Sequence, residues 1–376
     1  MIRDHEVMDQ VDFPTSGVTV RVSPLVTAIS GAHLSEASRP WPRRRTSMDH
    51  LGSISFEIFT PRSAKGLEEF ISPRGRLTGY ASLGPRFISV SGQPSATATL
   101  KLLEAVKNSH CIRAQLHLPR AELTEESAIA LIDAALRVGI VDALVLGSMQ
   151  PAAGGSFSSA AELVGYAIGN RIRDLSNARH AAAAHEAIAP HPANAPCSIL
   201  RTCRFLKARY GARLRVSVSG YPRGARGEAN DHAADVAHTA KQIAAGAECV
   251  VCLPTFDAAA HTSYVAELRG AGVDVAVPVL PGILPLCAPA EFRRICHSLS
   301  VTPPAAIEER LTVECADAAA AKATSRTSLV ALVRELSAAG ASPPHVYSLN
   351  SPTLVSDLAD AGFRPLKHRQ AADVDA

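Results

Sequence analysis

Long apolar runs are missing from this sequence. No stretch reaches the ~18 consecutive apolar residues that a helix needs to cross a bilayer, so no membrane span is expected. The opening segment, Met1 to Asp12, is polar and acidic. It does not read as a secretory leader, and a cytoplasmic location is the expectation. Charge of one sign is scarce too: 38 Lys and Arg stand against 35 Asp and Glu, a formal net charge of +3. A nucleic-acid binder usually carries a basic stripe with interleaved aromatics. The dense basic run here is Arg43-Arg44-Arg45 beside Trp41, which reads as a solvated N-terminal arm. Eight cysteines in 376 residues do not suggest a disulfide scaffold. Cys249 and Cys252 form a C-x-x-C, but it reads C-V-V-C inside an apolar run. On a strand, positions i and i+3 face opposite sides, and no second ligand pair follows. The thiols read as buried, reduced core residues, and no metal site is expected. No G-x-G-x-x-G follows a strand and no Walker loop occurs. H-E-x-x-H and G-x-S-x-G are missing as well.

What remains is a globular composition, 47% apolar and 19% charged. The length suits one large barrel or two ordinary domains. Residues 1–50 look irregular, with several prolines and no sustained period. From Leu51 onward, short β-branched apolar runs alternate with helical segments, the pattern of βα units and a parallel sheet. Eight strands are expected: Ser53 to Phe59, Phe87 to Ser91, Ile112 to Leu118, Ala143 to Gly147, Leu214 to Gly220, Cys249 to Leu253, Val273 to Leu280 and His345 to Leu349. Their near-continuous apolar character fits strands covered on both faces. Helical spacing marks Thr99 to Lys107, Glu125 to Val138, Asp235 to Ala245, Ala258 to Leu268 and Thr327 to Ala339. Thr124 suits a helix start, and Gly139, Gly246 and Gly270 suit the position just past a helix end. Eight such units argue for a closed (β/α)8 TIM barrel over 51–365, between the irregular N-terminal extension of 1–50 and a tail of 366–376. Two long connections, 150–212 and 281–343, read as insertions of the kind barrels tolerate on their loops.

Functional groups of a barrel project from the C-terminal ends of its strands. Glu57 lies in the first strand between Phe56 and Ile58. A carboxylate there is costly unless paired or protonated. It is either a structural ion-pair member or a general acid whose pKa burial raises. His117, near the end of the third strand, is either a hydrogen-bonded core residue or a ligand contact. Tyr221 and Pro222 end the fifth strand, before the Gly/Arg-rich loop Arg223 to Gly227. Those arginines either meet an anion or face solvent. Asp235 opens the next helix, as a favourable N-terminal charge or a ligand contact. Pro281 to Pro285 reads as a rigid turn closing the seventh strand and letting backbone approach a ligand.

These residues taken together resemble a known family. Ser55-Phe56-Glu57-Ile58-Phe59-Thr60-Pro61-Arg62 resembles the S-F-E-F-F-P-P-R/K opening of methylenetetrahydrofolate reductases. Phe87-Ile88-Ser89-Val90 is similar to their second-strand F-x-S-V, and His117-Leu118 to their third-strand H-L. Gly220-Tyr221-Pro222 resembles G-Y-P-E, and Phe256-Asp257 the end of F-F-F-D. Pro278 to Pro285 (P-V-L-P-G-I-L-P) resembles P-I-V-P-G-I-M-P. Tyr347-Ser348-Leu349-Asn350 is similar to Y-T-L-N. The match runs in order over about residues 51–363.

The resemblance implies a cytoplasmic oxidoreductase of one-carbon metabolism. It would reduce 5,10-methylenetetrahydrofolate to 5-methyltetrahydrofolate, with NAD(P)H as donor and FAD as the usual carrier, a step that serves methionine biosynthesis. It places Glu57 at the family's catalytic acid. It places His117, Tyr221, Asp235, His238 and Lys241 against the cofactor, and Phe256, Tyr347 and Asn350 against substrate. The implied partner is a small folate molecule, with a homo-oligomer left open. The sequence also departs from the family. L-R-G-D after the fourth strand is Leu146-Gly147-Ser148-Met149, T-Y-G-A is Ser91-Gly92-Gln93-Pro94, and the glutamine ending the sixth strand aligns with Leu253. The departures leave three further readings open: a flavin-free reductase, a flavin-free one-carbon carrier enzyme such as a methyl-transfer partner, or a non-catalytic folate-binding barrel.

Overall fold

The computed structural model describes residues 9–13, 18–22, 54–91, 96–119, 125–146, 198–222, 232–299, 301–314, 318–351 and 353–360. Several expectations fall outside them: the Arg43 to Arg45 arm, Thr124, Gly147 to Met149, Arg223 to Gly227 and the tail from residue 366.

Eight parallel strands close into a barrel. They are β3 (Ser55–Phe59), β4 (Ile88–Ser91), β5 (Ala114–Pro119), β6 (Asp142–Leu146), β7 (Arg215–Gly220), β8 (Cys249–Pro254), β9 (Val279–Ile283) and β10 (His345–Tyr347). Each pairs with its sequence neighbour, and β10 pairs back to β3. Helices α1 (Ala64–Ile71) and α2 (Arg76–Ser82) follow β3, and α3 (Ala96–Glu104) follows β4. Helix α4 (Glu125–Arg137) follows β5 and α5 (Ser198–Tyr210) precedes β7. Helix α6 (His232–Ala244) follows β7, and α7 (Ala258–Gly270) follows β8. Between β9 and β10 run α8 (Pro289–Ser298), α9 (Ala305–Glu314) and α10 (Ala318–Ala338); α11 (Leu354–Asp360) follows β10. The expected (β/α)8 architecture is present.

Strand parity divides the barrel strands between two environments. On β3, Ile54, Phe56 and Ile58 face the helices, and Phe56 packs its ring against Tyr80 of α2 at 5.2 Å. Ser55 and Glu57 take the opposite parity and face inward. The barrel interior holds one small apolar cluster, Phe87, Leu144, Cys249, Val251 and Leu280. Cys252 packs instead with the outer layer, so the two thiols of the C-x-x-C point apart; both are buried and reduced.

Much of the interior is polar. Ser89 Oγ donates to Gln115 Oε1, and Gln115 Nε2 donates to Ser217 Oγ at 3.0 Å. At the N-terminal ends of the strands, Asp142 accepts from two guanidiniums. Arg113 reaches it at 2.6 and 2.7 Å, and Arg215 at 2.8 and 2.9 Å. Both carboxylate oxygens are thereby satisfied, as a buried carboxylate requires.

Four details differ from expectation. The seventh strand begins at Val279, not Val273. Its alternating lead, V-D-V-A-V, is a turn. Arg269 donates to the carbonyls of Asp274 and Val277, Asp274 Oδ1 caps Ala276 N, and Val275 is exposed. Pro281 to Ile283 therefore lie within β9 and do not form a turn. A Cβ on Gly282 would stand 2.1 Å from the carbonyl oxygen of Cys252. That glycine admits the neighbouring strand β8, whose register shifts between Val251 and Pro254. Gly139 and Gly246 are left-handed at φ 77° and 106°, but Gly270 belongs to α7 and Gly272 (φ 89°) takes the left-handed position. Within residues 1–50, β1 (Asp9–Phe13) pairs antiparallel with β2 (Val18–Val22). That segment is not wholly irregular, and the alternation of Val18, Val20 and Val22 is its signal.

Candidate active site

Glu57 stands level with the end of β10, in register with Tyr347 on one side and Ser89 on the other. It is 5% exposed. No side chain among the described residues bonds or pairs with its carboxyl group. Desolvation alone pushes its pKa up to about 8. The buried group is therefore a carboxylic acid at neutral pH, able to give up a proton.

Around it the strand ends gather the other candidates. Tyr347 donates its hydroxyl to Cys252 O at 3.1 Å. Burial, and then the nearby Glu57, Cys252 and Tyr221, hold that phenol well above its usual range. Tyr347 thus links Glu57 to Tyr221. Burial raises Tyr221 to about 12, with Asp235 adding to the rise. Asp235 also acts on His238, which burial and Lys241 hold toward neutrality. Phe256 meets Phe292 edge-on at 5.8 Å and joins the cluster that includes Tyr347 and Leu349. The C-terminal ends of the strands and the first turns of α6 therefore gather Glu57, Tyr347, Tyr221, Asp235, His238 and Phe256, while Lys241 stands in the last turn of α6.

His117 lies inside the barrel behind that group, next to His345, whose ring meets Tyr347 edge-on at 5.6 Å. His117 is 2% exposed, and neither ring nitrogen reaches solvent or a hydrogen-bond partner among the described residues. Burial pushes it down to about 3. Its neighbour is His345, also held at about 3, first by burial and then by His117. His345 Nδ1 lies 2.9 Å from Ser55 Oγ and its ring stacks on Phe87 at 5.6 Å. This neutral imidazole pair was not foreseen in the sequence. The shared parity of His345 and Tyr347 on one strand was the available signal.

Asn350 does stand at the barrel mouth, but its amide is engaged by the chain itself. Oδ1 accepts from Phe59 N at 2.9 Å and Nδ2 donates to Phe59 O at 2.8 Å. At the opposite end of the barrel, a cleft of about 360 Å³ is lined by Lys107, Asn108, Arg113 and Asp142, among others. It lies away from Glu57 and belongs to the floor.

FAD carries a diphosphate, which calls for several cationic or N–H partners. Among the described residues around this site, Arg76 at the mouth and Lys241 in the last turn of α6 are cationic, with Asp235 between Lys241 and the strand ends. Those residues alone do not make up a diphosphate site.

The family model described as methylenetetrahydrofolate reductase matches residues 184–361. In Arabidopsis thaliana, "Methylenetetrahydrofolate reductase (NADH) 1" is 22% identical over 316 residues, 79% of this chain and 46% of the relative. In Oryza sativa subsp. japonica, "Probable methylenetetrahydrofolate reductase (NADH)" is 23% identical over 310 residues, again 79% and 46%. In Saccharomyces cerevisiae, "Methylenetetrahydrofolate reductase 2" is 26% identical over 149 residues, 39% of this chain and 24% of the relative. The chain spans about half the length of the plant relatives it matches.

Proposed function

We propose that this chain is a diverged member of the methylenetetrahydrofolate reductase family and reduces 5,10-methylenetetrahydrofolate to 5-methyltetrahydrofolate with NAD(P)H. Glu57 is the general acid. The carrying observation is its burial at the strand ends, with no ionic partner among the described residues, which keeps it protonated to about pH 8. A proton donor with a pKa near the working pH is what ring opening needs.

The step balances as follows. The bond from the bridging carbon to one ring nitrogen breaks, and Glu57 supplies the proton that the departing nitrogen takes. The bridging carbon is left as an iminium, and a hydride from NAD(P)H reduces it to the methyl group. One NAD(P)H and one proton are consumed, and the carboxylate is reprotonated from solvent. The residues around Glu57 contribute orientation and dryness. Tyr347 and Phe256 offer aromatic faces suited to a flat pterin. Flavin would relay the same hydride when bound.

The test is oxidation of NAD(P)H by purified protein, dependent on 5,10-methylenetetrahydrofolate. It should be lost in Glu57→Gln. Full activity in that variant removes the acid assignment. No oxidation by the unaltered protein removes the reductase reading. Folate binding without oxidation would then favour a binding barrel. Absorption near ~450 nm, before and after adding FAD, reports flavin directly.

A further inference from the structure

We propose that Asn350 is a positioning residue for Glu57, its side-chain amide acting as one more rung of the β-ladder beyond the end of β10. The inference rests on the reading of Glu57 given above.

Strand β10 stops at Tyr347, opposite Glu57, while β3 runs on for Ile58 and Phe59. The last peptide groups of β3 therefore extend past β10. Asn350 pairs with both the N–H and the carbonyl of Phe59, the two bonds a neighbouring strand would have made. Ser348 fixes the peptide between. Its N–H and its hydroxyl both donate to Glu57 O, at 3.2 and 2.6 Å. The hydroxyl also accepts from Asn350 N at 3.2 Å, which ties the two contacts together.

The turn that makes this possible is strained. Leu349 and Asn350 both sit in the left-handed region, at φ 52° and 53°. Asn tolerates that conformation, whereas Leu does not favour it. Such strain persists where the surroundings over-determine it. Here α2 supplies the hold: Arg76 donates to Asn350 O at 3.0 Å and Tyr80 to Ser351 O at 2.9 Å.

A clasp on the backbone matters because no side chain among the described residues bonds the carboxyl of Glu57. Its place is set by the peptide groups that carry it. The titratable side chain facing it is Tyr347 of β10; β4 faces it with Ser89. Loosening the clasp would open the strand end to water and let the carboxyl group drift.

The experiment uses the full chain with carbonyl-labelled glutamate, the Glu57 signal being assigned by its loss in Glu57→Gln. Asn350→Gly removes the amide yet accepts the left-handed backbone, so it separates the clasp from the strain. We expect the folded variant to titrate Glu57 at least one pH unit lower than the unaltered protein. We expect kcat to fall tenfold or more with KM nearly unchanged. Unchanged titration and unchanged kcat in folded Asn350→Gly overturn the inference, while a raised titration in the unaltered protein leaves the acid reading standing. An unaltered protein whose Glu57 titrates near 4.5 overturns the acid reading itself. If Asn350→Gly does not fold, Asn350→Asp, which keeps the acceptor and loses the donor, decides by the same two measurements.

Discussion

Replacing Glu57 by glutamine should make the protein more stable, and by an amount that grows with pH. Glutamine keeps the shape of the protonated acid and cannot ionise. Below pH 4.5, both folded and unfolded chains of the unaltered protein hold the Glu57 proton, and the two proteins differ by a constant. Between 4.5 and about 8 the unfolded chain has released a proton that the folded chain retains. The folded state then binds more protons, so stability falls as pH rises, by about 1.4 kcal/mol per pH unit. At pH 7 the accumulated difference is roughly 3 kcal/mol, and above pH 8 it levels at roughly 5 kcal/mol. The burial of Glu57 justifies using the full shift without discount for solvent screening. The assay is urea denaturation of both proteins at half-unit steps from pH 4.5 to 9. The gap between them should open through the window and then flatten. Parallel stability curves would mean that the carboxyl ionises freely in the folded state, and the reasoning from burial would be wrong.

Other outcomes follow from the barrel's interior. His117 and His345 stay neutral in the folded chain down to about pH 3, while the unfolded chain protonates them near 6.5. Stability they contribute is therefore complete above pH 6.5 and drains as pH falls toward 3. His117→Leu should lessen the loss between pH 6.5 and 5 by about 2 kcal/mol, read from denaturation midpoints; an identical acid limb would contradict the burial of that ring. Asp142→Asn leaves Arg113 and Arg215 without their shared carboxylate, and about 3–5 kcal/mol of stability should disappear in the same assay. Gly282→Ala places a methyl group against the Cys252 carbonyl; thermal melting should show a clear drop, where an ordinary strand glycine would gain from alanine.

Much of this architecture is written in the chain as local pattern. Seven barrel strands lie within a few residues of the apolar runs that announce them, because a strand buried on both faces needs such a run. The seventh expected strand started early because V-D-V-A-V alternates like a strand. What makes it a turn is Arg269, in the last turn of α7 just before it, bonding two of its carbonyls. Glu57 could be picked out because an acid among Phe56, Ile58 and Phe59 is anomalous on its face. Ser55, Ser89, Gln115 and Ser217 could not, since small polar residues in an apolar strand carry no sign of the bonds they make across the barrel. Asn350 suggested a ligand contact. The residue its amide bonds in the fold, Phe59, is 291 positions away, a distance that no window along the sequence spans.

That separation governs when the site comes into being. The links from β3 to the far end of the barrel, Ser55 to His345 and Phe59 to Asn350, join residues 290 and 291 positions apart. At about 5–20 residues per second, a ribosome needs roughly 15–60 seconds to travel between them. Throughout that interval the strand bearing Glu57 has an open edge on one side. Translation halted before Asn350 would yield a polypeptide that contains every candidate acid-base group of β3 to β9, yet has no finished pocket. Synthesis of β10 and the turn after it is thus the event that turns a nascent sheet into a closed cup.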